Sequence, residues 1–314
     1  MTYIDEVKNA RLSLPLLLSL LIIQDFAHAE LCKKWAAPEL LGKLERKPIN
    51  EASGLAVSKQ FADRLYWIND SGDKGNLYHT NLKGENARKI GVQNFKGVDT
   101  EALALGDCGG FACLIVADIG DNKSQRQSIT LVTIKEEETF PAKVKPLRKI
   151  TLRYPDGAHD AEALVVLPDG RLLIITKVMN LFALSAGEAG VYVLSREDFL
   201  APADDKTLRK IGSLPLAKFL PNEIMLSQIA TDAAVDEARG VLGILTYQKA
   251  VEIPLDRLEQ LEKVAQWQAG TDYAAVPLKA LAQQETMNYA GGKLIWSTEY
   301  HSPETPLYGI KCEN

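Results

Sequence analysis

Five acidic residues recur down this chain at the same point of a repeated phrase: Glu51, Glu101, Glu162, Asp232 and Glu285. Each opens a short run of small and apolar residues, followed by a turn and a second apolar run that stops on a polar residue. The stops form a second set: Asp70, Asp118, Lys177, Tyr247 and Glu299. Antiparallel pairing sets the end of a second strand beside the start of the first, so both sets should gather in one place. Carboxylates crowded together raise one another's pKa, titrate as a group, or take up a cation. Oxygen-only donors suit Ca²⁺ or Mg²⁺ rather than zinc. On this reading Asp70, Glu101, Asp118 and Glu162 are the best-placed metal ligands. The alternative is that such acids accept backbone N–H bonds and lock neighbouring elements.

Other candidates for chemistry are fewer. His159, just before the third acidic start, could act as a general base beside a metal-held water, and His301 after Glu299 is similar. A loop histidine bonded within its own turn is the alternative for both. Lys177 is either a counter-charge among acids or a holder of an anionic ligand. No GxSxG, phosphate-cradling loop or HExxH is present, so those mechanisms have no support.

The elements that must position these residues are β-hairpins. In residues 159–177 the run Ala163–Leu167 meets Pro168-Asp169-Gly170, which turns the chain into Leu172–Thr176. Apolar runs joined by such a turn read as a buried hairpin. The same pattern starts at Glu51, Glu101, Asp232 and Glu285, at intervals of 50 to 70 residues, loose for a solenoid and normal for a propeller. Third strands follow at 76–79, 129–132, 191–194, 250–253 and 307–310, and outer strands at 87–92, 147–152 and 208–214. The last copy runs out of chain after its third strand, and Leu40–Leu44 is placed to supply the fourth. The expected fold is an all-β, five-bladed propeller closed by its N-terminal strand, with six blades as the alternative. Leu255–Trp267 has helical periodicity and is expected as a surface helix inserted in the fourth blade.

Length and composition bound the rest. Lys8 and Arg11 precede the apolar block Leu12–Ile23, and Ala27-His28-Ala29 has the form of a cleavage site. Residues 1–29 therefore read as a signal peptide and 30–314 as a single domain, a monomer exported to the periplasm or beyond. The block is short for a membrane span, and no later stretch is long enough to be one. The net charge of −5 becomes −4 without that stretch, which holds Asp5, Glu6 and Asp25 against Lys8 and Arg11. A mildly acidic chain lacks the basic stripe that a nucleic-acid partner needs. Four cysteines suit an oxidising compartment. Cys108 and Cys113 flank one hairpin turn, and Cys32 and Cys312 lie at opposite ends of the domain.

The blade starts, with Asp70-Ser71-Gly72-Asp73, Asp118-Ile119-Gly120-Asp121-Asn122 and His159–Leu164, resemble the bacterial SdiA-regulated (YjiK-like) exported β-propellers. The resemblance covers nearly the whole exported part and is richest in the first three repeats. It implies a compact propeller in the cell envelope and brings no catalytic residues with it. Two functions follow as expectations. One is a binding protein taking a ligand or partner at an acidic channel mouth, with Ca²⁺. The other is a metal-dependent hydrolase of the phytase-like or lactonase-like propeller kind.

Overall fold

The computed structural model describes residues 29–45, 47–180, 184–263, 266–299 and 305–314. The signal-peptide stretch, apart from Ala29, and His301 lie outside the described residues.

Five antiparallel sheets surround one axis. Each inner hairpin forms because two apolar runs flank a turn that the chain can make. In the third copy Gly170, at φ +85°, donates to Leu167 O at 2.8 Å and lets the strands Ala161–Val166 and Leu172–Thr176 pair. The second strands are buried on both faces, which is why they read as unbroken apolar runs. Alternate residues face opposite neighbours. Leu172 and Ile174 pack toward blade two, whereas Leu173 and Ile175 pack toward blade four. The core is thus divided into five apolar clusters, one between each adjacent pair of blades.

In chain order, blade one comprises Ala52–Val57, Leu65–Asn69, Asn76–Thr80 and Arg88–Val92. Blade two comprises Thr100–Asp107, Ala112–Asp118, Ile129–Lys135 and Arg148–Arg153. Blade three adds Ala189–Leu194 and Arg209–Leu214 to its inner hairpin. Blade four is Ala230–Asp236, Val241–Thr246, Ala250–Pro254 and Ala274–Val276. Blade five takes Gln284–Ala290, Lys293–Thr298 and Thr305–Lys311, and its outer strand is Glu39–Leu44. Leu40 pairs with Tyr308 and Leu44 with Thr305, so the N-terminal strand closes the ring as expected. Cys32–Cys312 staples the same junction and Cys108–Cys113 the second hairpin. Short parallel additions, Lys143–Val144 and Asp205–Thr207, cover the outer edges of blades one and two, which hides strand edges that would otherwise invite pairing.

The ring has the five blades expected. One expectation needs correction: the segment 255–267 is not one helix, since among its described residues only Leu255–Leu258 is helical and residues 259–263 run on as turns. Leu258 and Leu261 are buried against the blade three–four core; packing of two leucines, rather than a full amphipathic helix, accounts for the apolar spacing. Among the described residues no helix is long and apolar enough to cross a membrane.

Candidate functional site: an acidic mouth

Every inner hairpin carries a β-bulge at the same place. The register slips between Ala52 and Gly54, Thr100 and Ala102, Ala161 and Ala163, Ala230 and Asp232, and Gln284 and Thr286. A bulge re-aims the extra side chain. The equivalent residues are therefore Ser53, Glu101, Glu162, Thr231 and Glu285, all buried. Glu101, Glu162 and Glu285 stand where the sequence pattern places them. Glu51 and Asp232 do not. Glu51 lies immediately before the inner strand, the position of Asp99 and Asp160 in blades two and three. Asp232 lies one residue past the bulge and accepts from Ala233 N at 2.8 Å and Met287 N at 2.6 Å, a bond between blades four and five.

The second-strand ends show a similar shift. Asn69, Asp118, Thr176, Thr246 and Thr298 are in register, so Asp70, Lys177, Tyr247 and Glu299 follow at one common position. Asp118 belongs one step earlier. Its oxygens are taken by Arg126, at 3.1 Å, and by Val98 N and Asp99 N at 3.1 and 2.8 Å. It positions the loop that carries Asp99. Within the two Asp-rich loops, Asp73 is likewise occupied by Asn76 and Tyr78, and Asp121 donates its N–H to Asp160 and accepts from Arg126 N.

What remains converges. Asp70 of blade one and Asp99 and Glu101 of blade two each offer a carboxylate oxygen, all within 4.8 Å of one another. Asp99 is the member that sequence reasoning missed; its signal was its place just before an inner strand, shared with Glu51. Ser53 Oγ donates to Glu101 Oε2 at 2.8 Å. Gly120 makes the convergence possible, because a Cβ there would fall 2.6 Å from Asp99 Oδ2 and 2.7 Å from Glu101 Oε1. Glu162 bonds Glu101 on one side and forms a buried ion pair with Lys177 on the other. Lys177 Nζ also lies 5.7 Å over the Tyr247 ring. Glu285 and Glu299 share a hydrogen bond in blade five.

The electrostatics follow from burial and crowding. Burial, then the charges of Glu162, Asp70, Asp99 and Glu285, holds Glu101 well above the usual carboxylate range. Burial pushes Glu162 up to about 7 despite Lys177. Glu285, Glu299, Asp99 and Asp160 are raised mainly by burial too. Such a mouth favours uptake of positive charge, as a proton or as a cation. Further along the inner strands lies a cavity of about 60 Å³ whose lining includes Leu103, Leu105, Val165 and Ala234. His159 sits outside this cluster. Its Nε2 lies 2.9 Å from Asp156 Oδ1 and from the Tyr192 hydroxyl, and Tyr154 packs against the ring edge-on.

No protein-family model matches the sequence, and no curated protein is significantly similar to it. Solved structures with a similar chain course include the nidogen/laminin complex, at 13% identity and a TM-score of 0.46 over 84% of this chain and 85% of that one. A gluconolactonase from Xanthomonas campestris is 12% identical with a TM-score of 0.46, covering 88% and 89% of the two chains. The soluble aldose sugar dehydrogenase of Escherichia coli, in its apo form, is 9% identical with a TM-score of 0.45, covering 88% and 99%. Likenesses this distant say nothing about activity, and the propeller rests on this chain's own strand pairing.

Proposed function

We propose that this protein is an exported β-propeller of the cell envelope that binds a divalent cation, Ca²⁺, and with it a ligand at the acidic mouth. The observation that carries the reading is the meeting of Asp70, Asp99 and Glu101 around Gly120. The donor set fits a hard cation: it is all oxygen, it comes from two blades, and the absent side chain at Gly120 leaves room for the carboxylates to close. Ca²⁺ accepts six to eight oxygens in flexible geometry, so further positions are left for water or ligand oxygens. Glu162, at hydrogen-bonding distance from Glu101, is the fourth carboxylate at hand. Export is supported by the charged-apolar-small layout of residues 1–29 and by two disulfides that use all four cysteines. The resemblance to the SdiA-regulated propellers supports the same compartment.

The test is thermal melting with Ca²⁺, Mg²⁺ or chelator. Binding to the folded state alone stabilises it by about 2.7 kcal/mol at a hundredfold excess over Kd, so Ca²⁺ should raise Tm and Asp99→Asn should abolish the rise. A wild-type curve indifferent to all three additions removes the cation and leaves the acids as blade-locking acceptors.

One observation favours a second reading, a metal-dependent hydrolase of the lactonase-like kind. Glu162, held near neutrality beside the trio, has the affinity for protons that a general base needs. A bound cation would supply polarisation of a carbonyl or of a water. Hydrolysis of lactones or esters that chelator removes, with a pH limb near about 7 lost in Glu162→Gln, would establish it; an inactive panel would exclude it.

A further inference from the structure

At the end of blade one away from the acidic mouth, three basic side chains line one cavity of about 320 Å³: Arg64, His79 and Arg88. Loop 70–75 at the mouth leads into Asn76–Thr80, so His79 lies toward the other end of the blade. Strand pairing brings the three together. His79 stands directly opposite Arg88 on one side and Tyr66 on the other. Residues paired in this way share a sheet face, with side chains starting about 5 Å apart. Arg64, two residues before Tyr66, reaches the same face, where its Nη1 lies 3.5 Å from the Tyr66 hydroxyl. Blade two supplies the remaining wall: the Phe140 ring lies 6.1 Å from that of Tyr66 and 6.4 Å from that of His79.

These groups lack the usual counter-charges. Arg64 donates to the backbone carbonyls of Glu137 and Glu138, both at 2.9 Å, and lies 4.7 Å over the Phe61 ring. That fixes its plane and leaves part of its five-donor fork unused. Arg88 is exposed, and its side chain makes no hydrogen bond or ion pair among the described residues. Two acids line the same cavity without pairing to either guanidinium. Asp63 Oδ1 accepts from Leu82 N at 2.9 Å, and Glu138 offers Arg64 its carbonyl instead. Glu136 is buried, accepts from Ser58 Oγ at 2.6 Å and does not line the cavity. Burial, then the charges of Arg64 and Arg88, lowers the His79 pKa. Like charges facing one another across paired strands are unfavourable, and an anion in the cavity would relieve them.

The donors narrow the class of anion. Two guanidinium forks and a ring N–H approach from three strands or strand ends, more than the two oxygens of a carboxylate can use. Guanidinium forks match phosphate oxygens in pairs. We propose that this cavity binds the phosphate group of a small phosphate monoester, with Arg64 and Arg88 holding its oxygens and His79 donating to a third. Phe140, Asn86 and Thr139 line the space left for the organic part. The site is separate from the acidic mouth and from any cation there.

Calorimetric titration of glycerol 3-phosphate into the full protein tests it, with chelator present so that a cation at the mouth cannot recruit the phosphate. Saturable binding is expected, weakened about tenfold or more by Arg88→Gln, which removes a charge-assisted donor. Arg88 is exposed and unpaired, so the variant should melt as the wild type does. Arg64→Gln should weaken binding as much and also lower Tm, because it releases the carbonyls of Glu137 and Glu138. Binding to phosphatidic acid vesicles that Arg88→Gln abolishes would support the same site, with a lipid as the source of the monoester. Absence of saturable binding to either ligand, equal affinity in Arg88→Gln, or equal affinity for acetate would overturn the proposal. Whether Ca²⁺ raises Tm bears on the mouth alone, so the two readings stand or fall separately.

Discussion

Ser53 and Glu101 occupy the same bulge in neighbouring blades, and the serine hydroxyl donates to the glutamate Oε2 at 2.8 Å. Blade one thus orients the carboxylate of blade two toward Asp70 and Asp99. Ser53→Ala is expected to cost about 1 kcal/mol of stability, the usual value of a buried hydrogen bond. It should also weaken Ca²⁺ affinity about tenfold, as loss of a ligand's supporting partner does. Urea denaturation with and without Ca²⁺ measures both effects, and an unchanged affinity would show that the serine serves packing alone.

Asp99 and Asp118 are expected to part company. Asp118→Asn strips a buried partner from Arg126, which should cost about 3 kcal/mol in the presence of chelator. Asp99→Asn removes one charge from a repelling group. It should leave the cation-free protein as stable as wild type or more so, while eliminating the response to Ca²⁺. Denaturant midpoints of the two variants in chelator decide the matter. Equal losses would mean that Asp99 is a structural acceptor like its neighbour.

Acidity should stabilise the cation-free protein. Glu162 titrates at about 7 in the folded state against an ordinary value of 4.5, and Glu101 and Glu285 are also raised. Between those limits the native state binds more protons than the unfolded chain, so stability falls as pH rises through about 7. Exposed pairs such as Asp156 with Lys210 act in the opposite sense, and Glu162→Gln isolates the mouth by flattening the slope. Saturating Ca²⁺ should flatten it as well. Midpoints measured at about pH 5 and about pH 8 that rise with pH, in wild type and variant alike, would contradict the burial argument.

The closure can be tested at its staple. Cys32 and Cys312 are 280 residues apart, and a loop of that length corresponds to about 5 kcal/mol in the chain-entropy model. Cys312→Ser should lower Tm markedly. Removal of residues 30–44 should go further, because it also bares the edge of Thr305–Lys311. Aggregation on size-exclusion chromatography is the expected readout, and a truncated protein that stays monomeric and melts unchanged would refute it.

The blades were legible in the sequence because each inner hairpin is buried on both faces and so leaves a run such as Leu172–Thr176 between unmistakable turns. Closure was legible because the last repeat lacked an outer strand. The mouth was legible only in part. A bulge adds a residue to one strand without altering the composition of the run, so alignment by acidic type drifted to Glu51 and Asp232 where Ser53 and Thr231 stand. Asp118 was misjudged for a different reason. Its partner Arg126 lies eight residues on in a loop, and nothing in spacing announces that a guanidinium folds back. Asp99 drew no notice because the value of its position depends on Gly120 across the hairpin, a contact made in three dimensions.

The shared fifth blade also dictates the order of events during synthesis. Glu39–Leu44 precedes the strands of the other four blades and finds its partner, Thr305–Lys311, only after all of those blades have been made. Four blades can zip up locally as they appear, each from consecutive residues, but the ring stays open until the two ends meet. Throughout that interval the early strand is an unpaired edge, and the strand pairing that spans the most sequence is also the last to form. A chaperone that shields residues 39–44 until release would therefore govern the yield of folded protein more than any aid given to the blades between.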